Sequence, residues 1–72
     1  MSNTDQIEIV VNGATQAAPR PMSLPELLDF LGIARDRVAI ELDGAIVRKQ
    51  DWSHTIAGAG AKLEIVQFVG GG

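Results

Sequence analysis

Along Ile7-Glu8-Ile9-Val10-Val11, the residues Ile7, Ile9 and Val11 alternate with Glu8, Val10 and Asn12. A period of two is the signature of a strand with one buried face. Asn12-Gly13 follows at once, and both residues tolerate the positive φ angles of the two-residue turn that suits strand twist. Ala14 to Ala18 is then the returning strand. It has weak propensity and is closed off by Pro19 and Pro21, which places it at a sheet edge. The period changes at Ser23-Leu24-Pro25-Glu26. Ser23 is the expected N-cap, Pro25 sits in the first turn, and Glu26 completes a capping box. Leu24, Leu27, Leu28 and Leu31 fall on one helical face, with Phe30 expected at its margin and Gly32 as the terminating residue.

Strand alternation returns at Val38, Ile40 and Leu42, and Asp43-Gly44 closes a second hairpin onto Ala45-Ile46-Val47. Residues 48–61 show no clear period. They predict a short turn around Asp51-Trp52-Ser53, with Trp52 as a core anchor, and then a loop through Ala57-Gly58-Ala59-Gly60-Ala61. Lys62 to Val69 reads as a last strand, with Leu63 and Ile65 on one face and Glu64, Val66 and Phe68 on the other. The order is two strands, one helix, two strands, a loop and a strand. A single helix covers one face of a sheet, so the pattern predicts an α+β fold in which a mixed five-stranded sheet curls around one helix, the β-grasp or ubiquitin-like arrangement. Residues 1–69 are expected to form a single domain frayed over 1–6, with 70–72 a flexible glycine tail.

Composition narrows the chemistry. The chain has 72 residues, no cysteine and one histidine, His54. These counts exclude disulfides, thiolate metal sites and any mechanism that uses a thiol of the chain itself, so no metal site is expected. No apolar run approaches the ~20 residues of a bilayer span, and residues 1–6 lack the features of a secretory signal. A net charge of −3 disfavours nucleic acid or an anionic membrane as partner. A domain this small has little room for an enzyme pocket. The expectation is a cytoplasmic protein that is not itself an enzyme.

Three groupings invite a chemical reading. Gly58-Ala59-Gly60 before Lys62 lacks the spacing, the Ser/Thr and the following helix of a phosphate-binding loop, and reads as a plain loop. Asp51, Ser53 and His54 are too close in sequence for Ser53 and His54 to share a proton, so His54 reads as a solvated turn residue. Gly70-Gly71-Gly72 stands apart. Three residues without side chains reach about 10 Å into a slot too narrow for any Cβ. They are expected to present a terminal carboxylate at Gly72, which another enzyme can activate with ATP so that sulfur replaces one of its oxygens. Val66 and Phe68, outward on the strand that leads into this tail, form an expected docking patch.

The ending Leu63-Glu64-Ile65-Val66-Gln67-Phe68-Val69-Gly70-Gly71-Gly72 resembles that of the ubiquitin-like sulfur carriers of thiamine biosynthesis, the ThiS family. The block from Val38 to Val47 with Trp52 beyond it, and the opening Ile9-Val10-Val11-Asn12-Gly13, are similar to that family as well. A terminal Gly-Gly alone is shared with the small subunit of molybdopterin synthase and other carriers. Departures are an N-terminal extension through Gln6, and Arg48-Lys49 where relatives often carry a proline.

The resemblance implies that a ubiquitin-activating-type adenylyltransferase, using ATP and magnesium, adenylates Gly72. Sulfur from a cysteine desulfurase persulfide then gives a thiocarboxylate, which thiazole synthase consumes in building the thiazole of thiamine. Gly71 and Gly72 carry over directly, and Gly70 extends the same tail. The carrier itself is implied to bind no cofactor. Alternatives are a carrier serving molybdopterin or another thiolated product, a ubiquitin-like protein modifier, and an inert interaction domain.

Overall fold

The computed structural model describes residues 6–68. The sequence-based expectations for residues 1–5 and for Val69, Gly70, Gly71 and Gly72 lie outside the described residues. The elements run β1 (Ile7–Val11), β2 (Ala14–Ala18), β3 (Met22–Ser23), α1 (Leu24–Leu31), β4 (Val38–Leu42), β5 (Ala45–Val47), a 3-10 helix (Lys49–His54), β6 (Ile56–Ala57) and β7 (Lys62–Gln67). Five strands form one sheet in the order β2-β1-β7-β4-β5. The β1–β7 pair is parallel and the other pairs in this sheet are antiparallel, so the sheet is mixed. This is the β-grasp arrangement that the pattern predicted, with β2 at an edge.

Helix α1 forms where its capping signals lie. The Ser23 side chain accepts from the Glu26 amide, and the Glu26 carboxylate accepts from the Ser23 amide at 3.0 Å. Two of the amides that a helix start leaves without partners are thereby satisfied. Gly32 adopts the left-handed conformation at φ 76° and ends the helix. Leu24, Leu27 and Leu28 pack against Ile9, Ile40 and Leu63 of the sheet, and these six are the largest fully buried side chains. Phe30 departs from its expected place at the margin of the stripe and is 46% exposed, because its position turns it to the solvent side of a two-turn helix.

The region read as a turn and a loop is more structured than its composition suggests. Asp51-Trp52-Ser53 lies within the 3-10 helix, and Trp52 is buried with its indole N–H donating to the Val47 carbonyl at 3.0 Å. Ala57 is not loop. With Ile56 it forms β6, which pairs antiparallel with β3 as a second, two-stranded sheet. Ala57 and Ala61 are both buried, which a composition of Gly and Ala conceals. Among the described residues the last strand, β7, ends at Gln67, one residue before Phe68. Its antiparallel partner β4 begins at Val38, opposite Gln67, so the ladder has no further strand residue to pair with.

Candidate functional site

Strand alternation divides β7 cleanly. Leu63 and Ile65 are buried, while Glu64 and Val66 face outward, with Phe68 just past the strand end. Val66 and Phe68 are 54% and 57% exposed, as the sequence predicted. The register sets their neighbours: Ala39 of β4 lies opposite Val66, Glu41 opposite Glu64, and Ile46 of β5 opposite Glu41. Ile46 is 72% exposed and was not singled out in the sequence. The signal was present, since the Asp43-Gly44 turn fixes the register and the Ala45-Ile46-Val47 alternation sends Ile46 out. Ala39, Glu41, Ile46, Glu64, Val66 and Phe68 line a shallow groove of about 200 Å³ on the outer sheet face. It is apolar at the Phe68 end and carries two carboxylates at the other.

The backbone at the exit of β7 is held from both sides. Phe68 donates its amide to the Arg37 carbonyl at 2.7 Å, on the β4 side. Arg37 sits at φ 66°, a conformation that costs an L-residue roughly 1 kcal/mol or more. On the other side β1 has already turned away at Asn12. Its side chain takes the place of a strand. The Asn12 carbonyl oxygen accepts from the Ile65 amide at 2.7 Å, and its amide donates to the Ile65 carbonyl at 3.1 Å. The first residue of the other hairpin turn acts similarly at the start of β7. Asp43 donates its backbone amide to the Lys62 carbonyl and accepts from the Lys62 amide through its carboxylate. Both turn residues stand at positive φ, 50° and 51°. One residue thus makes the hairpin and clamps the central strand.

The other groupings remain apart from this face. Ser53 and His54 are exposed on the 3-10 helix, whereas Trp52, which precedes them, is buried in the core with Lys49 5.6 Å from its ring. Gly60 takes a left-handed turn and donates to the Glu8 carbonyl, after which a strand follows, as a plain loop requires. Among the described residues no three His, Asp or Glu side chains are grouped to hold a metal, and no helix is long and apolar enough to cross a membrane.

Residues 2–72 match the model of the ThiS family. The chain belongs to the ThiS family. Its structure is similar to the crystal structure of the thiamine biosynthesis protein ThiS from Geobacter metallireducens, with a TM-score of 0.80 and 28% identity, covering 92% of this chain and 100% of that one. An uncharacterized protein, ycf40, from Pyropia yezoensis is 35% identical over 66 residues, covering 92% of this chain and 93% of that protein. A thiazole synthase from Paramagnetospirillum magneticum is 36% identical over 66 residues, which are 92% of this chain but 20% of that protein. The chain thus spans about a fifth of the length of that relative. The ThiS family and its β-grasp fold agree with the resemblance carried by the Val38–Val47 block and the Val66-Gln67-Phe68 ending.

Proposed function

We propose that this ThiS-family chain is a sulfur carrier in thiamine biosynthesis whose reactive group is the carboxylate of Gly72. The observation that carries the reading is the exposed apolar end of the groove, Val66 and Phe68, at the foot of the strand that leads to Gly70-Gly71-Gly72. A partner that covers Phe68 sets the direction in which those three residues leave the domain. In the first step the Gly72 carboxylate attacks the α-phosphorus of ATP on a ubiquitin-activating-type adenylyltransferase, with magnesium as the counter-ion, and pyrophosphate leaves. The terminal sulfur of a persulfide, supplied by a cysteine desulfurase, then attacks the acyl carbon and displaces AMP. A thiol cleaves the resulting acyl disulfide, leaving a thiocarboxylate on Gly72. Thiazole synthase is the proposed acceptor. That a segment similar to this chain lies within proteins named thiazole synthase supports the pairing.

Incubation with the adenylyltransferase, ATP, magnesium and a persulfide donor should raise the mass by the difference between sulfur and oxygen. Fragmentation should place the change at Gly72, and a chain ending at Gly71 should show none. Modification on a side chain, or an isopeptide bond to a lysine of another protein, would refute the carrier chemistry.

Phe68→Ala should slow adenylation and sulfur transfer at least about fivefold, since truncating a central aromatic anchor commonly costs more than 1 kcal/mol of binding. Its melting temperature should stay within a few degrees of the unmodified protein, because the ring lies outside the core. Equal losses of rate and stability would place Phe68 in the fold rather than in recognition.

A further inference from the structure

The acidic half of the groove carries information that the apolar half does not. Glu41 of β4 and Glu64 of β7 are directly opposite across an antiparallel pair and point to the same outer face. Side chains so placed have Cβ atoms about 5 Å apart, and like charges at that spacing destabilise a sheet. Neither carboxylate has a hydrogen bond or salt bridge to any described residue. Lys62 follows the same strand parity two residues before Glu64, and it too makes no ion pair with either. Among the described residues no cation pairs with these two carboxylates, which share the groove with the exposed apolar side chains of Ile46, Val66 and Phe68.

Resting on the carrier reading above, we propose that the groove receives a partner-protein surface whose apolar projection covers Val66 and Phe68 and whose arginine side chain lies between Glu41 and Glu64. A guanidinium is planar, offers five N–H donors and suits two carboxylates a few ångströms apart better than the point charge of an ammonium does. Closing the groove with that cation removes the repulsion that the free domain carries, so the charge pair favours the bound state. A second copy of the chain is a poor occupant. Two such faces in contact would bring four carboxylates together around one apolar strip.

The arrangement makes stability and binding move in opposite directions, and that opposition is the test. Glu41→Gln, Glu64→Gln and the double variant keep the shape of the groove while removing charge. Each single variant should melt at or above the temperature of the unmodified protein. Each should also bind the adenylyltransferase or the thiazole synthase at least fivefold more weakly, with a shallower dependence on salt concentration. Unchanged affinity for both enzymes, or tighter binding, overturns the proposal, and so does a loss of affinity accompanied by a matching loss of stability. A dimer in sedimentation that the Gln variants strengthen also overturns it, by giving the groove to a second copy. Failure of the carrier reading looks different. In that case the unmodified protein binds neither enzyme and gains no sulfur, whereas failure of this inference alone leaves the unmodified protein and the Gln variants equally active.

Discussion

Replacing Leu28 with alanine is expected to lower the unfolding free energy by about 2–5 kcal/mol, the cost of losing a buried leucine and leaving a cavity. Leu28 is fully buried on α1, facing the sheet through the layer that Ile9, Ile40 and Leu63 complete. The helix has only eight residues, too few to hold itself together without that contact. A chain of 72 residues has roughly 4–11 kcal/mol of stability in total, so the single substitution removes a large part of it. Denaturant titration measures the loss. Phe30→Ala, two positions along the same helix but exposed, supplies the comparison and should cost less than about 1 kcal/mol. Equal losses for the two variants would mean that α1 presents a different face to the sheet.

Asn12→Ala is expected to cost about 2–4 kcal/mol, an unusual amount for an exposed turn residue. It removes both hydrogen bonds to Ile65 and leaves an amide and a carbonyl of the central strand without partners in a partly buried place, at about 1–3 kcal/mol each. It also forces alanine into the left-handed conformation of the turn. Asn12→Asp separates the two contributions. Aspartate suits the same turn and still accepts from the Ile65 amide, but it offers the Ile65 carbonyl no donor. Its loss should fall between those of the asparagine and alanine forms, read as denaturant midpoints at a common slope. Should Asn12→Ala lose less than about half a kcal/mol, the side chain is not a clamp, and water serves Ile65 equally well.

Local signals in the chain were sufficient for most of the frame. Asn12-Gly13 and Asp43-Gly44 announced the hairpins, Ser23 and Glu26 the helix start, and strand alternation sent Val66 and Phe68 outward. The clamp on β7 was not legible, because the contact between Asn12 and Ile65 spans 53 residues and no local preference encodes it. The pairing of β3 with β6 was missed for a related reason. Two-residue strands are too short to show a period, and Ala57 and Ala61 are buried by what surrounds them rather than by strong hydrophobicity of their own. Ile46 was legible from its own hairpin, whereas the Glu41–Glu64 pair could have been placed only by carrying that register across to the last strand. That step needs the order of strands in the sheet, which the chain order does not supply.

The position of β7 in the middle of the sheet has a consequence for how the molecule is made. One half of the sheet is the β1–β2 hairpin and the other is the β4–β5 hairpin, and these halves meet only through β7. During synthesis both hairpins leave the ribosome before the strand that joins them, so each waits with an open edge. Parallel pairing of β1 with β7 closes a loop of about fifty residues, which places folding among the slower, non-local cases. Val66 and Phe68 belong to this last segment, so the groove is complete only once β7 has been made and inserted. A nascent chain that stops before Lys62 has neither a finished core nor a complete groove. An activating enzyme that reads this groove would therefore spend ATP on chains whose last strand is inserted and pass over full-length chains in which it is not.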